Sequence, residues 1–154
     1  LSAAEGVIRH AGLIAARQDG PSGGRWRGVL IEGRSGAGKS DLALRALDHG
    51  FRLVADDRVL LWVAQGRLFG RAPDALAGLL EVRGLGVIAV SALPLAEVAL
   101  IVQCGAPERM PEPQAEHLLG VAVPRVEVDP RTASAPAGLR RALTHFDEAI
   151  NRRI

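Results

Sequence analysis

Apolar positions in this chain fall into short runs cut by glycine, proline and charge, so the pattern predicts several short strands and only a few helices. Gly6 to Ala16 reads as a mostly apolar strand containing His10, followed by a polar Gly/Pro/Ser loop from Arg17 to Arg25. Val29-Leu30-Ile31 suits a short buried strand. From Ser40 to His49 the spacing turns helical, with Leu42, Ala43, Ala46 and Leu47 on one face and Gly50 as the stop. Phe51 to Ala55 is the next strand, and Val59 to Ala64 with Arg67 to Gly70 forms a hairpin around Gln65-Gly66. Pro73 opens a short helix through Leu80, and Glu81 to Ile88 is an extended or glycine-bent segment. Val98 to Val102 is a buried strand, Pro107 to Pro113 a loop, and Val121 to Val128 a further strand. Ala133 to Gly138 is a flexible approach to a last helix, on which Leu139, Leu143, Phe146 and Ile150 share one face. That stripe suits packing on the domain or docking to another subunit.

The chemistry begins between the strand at Val29 and the helix at Ser40. Gly33-Arg34-Ser35-Gly36-Ala37-Gly38-Lys39-Ser40 satisfies the phosphate-binding pattern GxxxxGKS in a strand-to-helix context. Its glycines let the backbone turn tightly and aim N–H groups at phosphate oxygens. Lys39 reaches the outer phosphates, Ser40 offers a hydroxyl to phosphate-bound Mg²⁺, and the helix start adds its positive dipole end.

Asp56-Asp57 follows Ser40 after one helix and one strand. A neighbouring parallel strand would return these carboxylates to the phosphate loop, one to accept a proton from an attacking hydroxyl and the other to order Mg²⁺ or its water. Adjacent strand residues point oppositely, so the two take different roles. In Glu81-Val82-Arg83-Gly84-Leu85-Gly86, Glu81 offers a second metal ligand and Arg83 a phosphoryl contact; a glycine-bent surface Glu-Arg pair would look the same.

Composition narrows the classes. With 154 residues and 48% hydrophobic content the expectation is one core and one domain spanning residues 1–154. The chain begins at Leu1, as an internal or trimmed piece of a longer protein would, and residues 1–9 lack a signal-sequence pattern. No 18-residue apolar run occurs, so a soluble protein without membrane contact is expected. Cys104 is the single cysteine, which excludes an intrachain disulfide and fits a reducing cytoplasm. A net charge of +2, no tyrosine and 3 phenylalanines argue against nucleic acid as the main ligand. Arg140-Arg141 and Arg152-Arg153 read as helix-surface charge. The sole asparagine, Asn151, is followed by Arg-Arg, so the Asn-Lys-x-Asp guanine reader is missing, and no apolar strand ends in Asp-Glu as an ATPase motor would need.

GVLIEGRSGAGKSDLALRAL, FRLVADDRV and LLEVRGLGVI, in that order and spacing, make the chain resemble the catalytic domain of the HPr kinase/phosphorylase family, in its short bacterial form without a separate N-terminal domain. The resemblance runs from about His10 through Val128. It implies an α/β fold, a P-loop-containing mixed central sheet of the phosphoenolpyruvate carboxykinase-like kind. It implies an ATP- and Mg²⁺-dependent protein-serine kinase acting on HPr of the phosphotransferase system, with reverse phosphorolysis by inorganic phosphate, assembled as a homo-oligomer, commonly a hexamer, in the cytoplasm. Residues Gly33, Arg34, Ser35, Gly36, Ala37, Gly38, Lys39 and Ser40 would bind nucleotide, with Ser40 and Glu81 on the metal. Asp56 would be the acid/base for the serine hydroxyl, and Asp57 the adjacent candidate for metal or water ordering and catalysis. His10, a plain strand histidine by pattern alone, would lie at the active site; Arg83 would steady the phosphoryl group and Arg109 would stand in for the family's catalytic arginine.

Three departures qualify what the family implies. Gly20-Pro21-Ser22-Gly23-Gly24 is inserted after His10, so placing that residue depends on how the loop folds. The acceptor-side loop is shortened around Pro107 to Pro113, and Asp129-Pro130-Arg131-Thr132-Ala133-Ser134 replaces an arginine-rich glycine turn, which puts phosphorolysis and inter-subunit contacts in question. A nucleotide-sensing regulatory module and a small-molecule kinase stay open as alternatives.

Overall fold

Val29, Leu30 and Ile31 are fully buried because their strand lies inside the sheet, covered on both faces. The computed structural model describes residues 6–19 and 24–152, with side chains up to Phe146. The elements are β1 (Val7–Arg9), β2 (Gly12–Gln18), β3 (Arg25–Glu32), α1 (Lys39–Ala46) with a 3-10 turn over Leu47–His49, β4 (Phe51–Ala55), β5 (Val59–Ala64) and β6 (Arg67–Arg71). A 3-10 turn at Asp74–Leu76 leads to the hairpin β7 (Leu79–Val82) and β8 (Gly86–Ala89), then β9 (Ala96–Cys104), β10 (Gln114–Leu118), β11 (Val121–Val128) and α2 (Ala135–Arg152).

The main sheet runs β1-β5-β6-β9-β3-β2-β4, with β11 on β9 and β10 on β11. Alternation along the inner strands sends side chains to two cores. Ile14, Val29, Ile31, Leu100 and Val102 pack beneath α1 and α2, against Leu42, Ala46, Leu139 and Leu143. Leu13, Leu30 and Ile101 point the other way and meet Leu61, Leu68, Leu118 and Val123. That second core takes its described side chains from strands and their connections, so the sheet covers this face by curling over itself as a half-barrel.

This corrects the expected phosphoenolpyruvate carboxykinase-like P-loop α/β sheet. A P-loop α/β sheet is sandwiched between helices, whereas one face of this sheet is covered by its own strands. Here β2–β3, β5–β6 and β10–β11 are antiparallel neighbours, and among the described residues only β3–β9 and β9–β11 pair parallel in this sheet. The strand after α1 does not return beside β3: β4 pairs antiparallel with β2, which separates the two.

Other local expectations shift for readable reasons. The strand from Gly6 to Ala16 is broken at His10-Ala11 into β1 and β2, which serve different neighbours, β5 and β3. Strand β3 starts at Arg25, because pairing with Arg17 and Gln18 carries the ladder beyond the apolar run. The helix expected from Pro73 to Leu80 is one 3-10 turn, stopped before Gly78 at φ +73° and the start of β7. Gly20 to Gly23 of the insert, the side chains of Ile150 and Arg152, and Arg153 lie outside what the structure describes. No helix among the described residues is long and apolar enough to cross a membrane.

Glu97 on β9 joins three elements, accepting from Arg25 and Arg27 of β3 and from Arg67 of β6 at 2.8 Å each. Burial alone would push its carboxyl up, but the Arg67 hydrogen bond and the surrounding guanidinium charges together hold it below the ordinary 4.5. A depressed carboxylate stabilises the fold above its unfolded pKa and loses that contribution as pH falls through the folded one. The melting-temperature advantage of the native chain over Glu97→Gln is therefore expected to be full at neutral pH and to shrink as pH is lowered below 4.5, measurable by thermal unfolding in a pH series.

Candidate functional site

The phosphate loop joins the C-terminal end of β3 to α1. Gly36 (φ +81°) and Gly38 (φ +106°) occupy the left-handed conformation that glycine adopts without strain. Gly38 is the N-cap of α1 and supplies no side chain to its first turn, so those N–H groups remain for an anion. Behind the loop, a Cβ built on Gly33 would stand 3.0 Å from that of Cys104 and 3.2 Å from that of Ala37, so a larger residue there would press on the end of β9. Burial pushes the Cys104 thiol up; Lys39 lowers it and Asp129 raises it by lesser amounts. Arg45 of α1 donates to the carbonyls of Pro130 and Thr132, drawing the segment from Asp129 to Ser134 against the helix.

Lys39 bends back over the loop, its Nζ donating to the Gly33 carbonyl at 2.7 Å and that of Arg34 at 3.0 Å. The ammonium is thus held at the mouth of the phosphate cradle. Ser40, one residue further, donates its hydroxyl to Asp56 Oδ1 at 2.8 Å.

The two aspartates separate sharply. Asp56 is 7% exposed, and its second oxygen accepts the Glu81 backbone N–H at 3.0 Å. Both oxygens are engaged, which is how a buried carboxylate stays satisfied. Asp57 has φ +69°, and the Arg58 N–H reaches over it to the Asp56 carbonyl at 2.7 Å. That is a γ-turn of the rarer, strained kind, of the sort that collects at functional sites. The turn takes Asp57 out of the strand geometry of β4 and exposes its carboxylate, where Oδ1 lies 2.9 Å from His10 Nε2. His10 sits at the break between β1 and β2, which frees its ring from strand alternation.

A cleft of about 210 Å³ is lined by His10, Ser35, Gly36, Gly38, Lys39, Ser40, Asp57, Glu81 and Arg83, with Asp41 and Leu44. It brings together most of the residues singled out from sequence. Arg109 is not among them: it is exposed on the loop between β9 and β10. Asp41 and Leu44 were not anticipated; they share the face of α1 beside Ser40, and helical spacing from the motif could have found both. Among the described residues no three His, Cys, Asp or Glu side chains form a metal cage. Mg²⁺ does not need one, since it takes one or two protein carboxylates and fills its remaining positions with phosphate oxygens and water. The glycine-lined cradle, the free helix start, Lys39 and the Ser40 hydroxyl fit a magnesium triphosphate.

Comparison with known proteins gives concordant results. The family described as the HPr Serine kinase C-terminal domain matches residues 26–97. The HPr kinase/phosphorylase of Clostridium perfringens is 53% identical over 66 residues, covering 43% of this chain and 22% of that protein. That of Clostridium tetani is 52% identical over the same length and shares of each chain. The matched stretch thus spans about a fifth of these curated relatives. The solved structure of the Hpr(Ser) kinase/phosphatase from Coxiella burnetii superposes with a TM-score of 0.76 at 25% identity, over 94% of this chain and 99% of that one. Its match over nearly the whole chain assigns the half-barrel architecture in place of the expected carboxykinase-like sheet.

Proposed function

Since the chain belongs to the HPr kinase/phosphorylase family through that family's C-terminal domain, we propose that it is an ATP-dependent protein-serine kinase whose acceptor is the phosphocarrier HPr. Residues 1–154 act as one catalytic unit within a homo-oligomer, and inorganic phosphate run against phosphoserine is the reverse traffic. The observation that carries this reading is the turn at Asp57, which presents a carboxylate paired with His10 in the same cleft as Lys39 and Ser40.

The contacts of the two acids favour a division of labour opposite to the one that the family resemblance implies. Asp57 is the base: its carboxylate is exposed to the cleft and takes the serine proton while the serine oxygen bonds to the γ-phosphorus and the bond to the β–γ bridging oxygen breaks. His10 orients that carboxylate through Nε2. Asp56, with both oxygens committed, holds the Ser40 hydroxyl and the Glu81 backbone in place. Ser40 and Glu81 would hold Mg²⁺, Lys39 would exchange the loop carbonyls for the outer phosphates, and Arg83, on the cleft wall, would meet the transferred group. Mg²⁺, when bound, supplies neutralisation of phosphate charge.

Incubation with γ-labelled ATP, Mg²⁺ and HPr is expected to label HPr and to leave its serine-to-alanine variant unlabelled. The position of Arg109, exposed outside the cleft, favours a second reading, a nucleotide-dependent binding module. ATP binding without any labelled HPr would establish that module instead.

A further inference from the structure

Arg9 immediately precedes His10, and Glu32 immediately precedes Gly33. Arg9 Nη2 donates to both Glu32 oxygens, at 2.9 and 2.7 Å. The side chains are 33% and 16% exposed, which sets the pair apart from freely solvated ion pairs of little consequence. Glu116 of β10 lies 3.4 Å from the same Nη2 and is itself 3.6 Å from Arg125 of β11.

The two strands this pair joins do not pair with each other. β1 is a three-residue strand laddered to β5, where Arg9 lies opposite Val59, two residues beyond Asp57. His10 and Asp57 therefore belong to one corner of the sheet. The phosphate loop belongs to β3 and α1, which β9 and β2 hold. On its β2 side, His10 is two residues from Gly12, which pairs with Ile31 of β3, and the Ser40–Asp56 hydrogen bond ties the Asp57 turn to α1. On its β1 side, the Arg9–Glu32 pair adds a tie to the last residue of β3.

We infer that the Arg9–Glu32 pair is a positioning clasp that fixes the His10–Asp57 side of the cleft relative to the phosphate loop. This rests on the kinase reading for its catalytic consequence. The reason for expecting a rate effect is that a small misplacement of a base relative to the transferred group is costly. Neither residue contacts the cleft, so nucleotide binding is untouched.

The test compares Arg9→Gln, Glu32→Gln, Arg9→Lys and the charge reversal R9E/E32R with the native chain. Three quantities are measured: kcat and the nucleotide KM for phosphate transfer to HPr, the melting temperature, and the His10 imidazole ¹⁵N signals without nucleotide. The glutamine variants are expected to lose about tenfold in kcat with KM within about twofold, the signature of lost alignment rather than lost binding. Their His10 signals are expected to move toward those of Asp57→Asn. Arg9→Lys is expected to recover most of the rate, because both short contacts come from a single nitrogen that an ammonium can replace. A lower melting temperature with unchanged kcat and unchanged His10 signals would overturn the clasp. If the native chain transfers no phosphate, the kinase reading fails by itself, and the His10 signals still decide: moved signals support the clasp and unmoved ones reject it.

Discussion

Asp57→Asn is expected to bind ATP as the native chain does and to phosphorylate HPr about 10²–10⁴-fold more slowly, the usual contribution of a general base. Asparagine is the informative replacement because it tolerates the left-handed backbone that Asp57 adopts at φ +69°. Alanine there would add backbone strain to the loss of the carboxylate and blur the result. Asp56→Asn makes the contrast. Its Oδ1 and Oδ2 accept from Ser40 and Glu81, so its loss is expected to raise the Mg²⁺ concentration needed for half-maximal rate and to lower the melting temperature. A steady-state series in Mg²⁺ and HPr separates the two. Near-native kcat in Asp57→Asn would return the base role to Asp56.

Lys39→Ala is expected to weaken both nucleotide binding and transfer, lowering kcat/KM by about 10²–10³-fold, the scale on which electrostatic stabilisers of a charged transition state act. In the structure the ammonium donates to the Gly33 and Arg34 carbonyls, so its removal also leaves two loop acceptors without their cation. The isolated effect on binding is read by titrating a fluorescent ATP analogue. Native affinity for that analogue in Lys39→Ala would mean that the lysine never leaves the loop carbonyls.

What could be read from sequence was local, and what escaped was set by distant neighbours. The phosphate loop is legible because its requirement is a backbone one: Gly36 and Gly38 at positive φ next to a helix start. The aspartate pair is legible as a pair, but the different surroundings of its members are not, because the strand alternation used to separate them ends at Asp56 and a γ-turn begins. The edge strand β10 left no mark: Gln114 to Leu118 is polar and largely exposed, and it is a strand only because β11 offers it a ladder. The sheet class was misread for a related reason. An apolar strand, a glycine loop and a helix look alike in many folds, and whether the next strand adds beside β3 or beyond β2 depends on a hairpin whose partner lies upstream. Arg109 was chosen by analogy, without a motif of its own, and it stands away from the cleft.

Strand β9 pairs with β3, β6 and β11, and its last residue, Cys104, forms the back of the phosphate loop. Everything that marks the loop as a nucleotide site has left the ribosome by Ser40, yet the wall against which Gly33 rests is made more than 60 residues later. At about 5–20 residues per second, the nascent chain spends seconds with the motif complete and its support missing. Newly made chains stalled before Ala96 should therefore ignore ATP, and those released beyond Val128 should bind it: nucleotide capture reports the arrival of the central strand and so times the closure of the sheet.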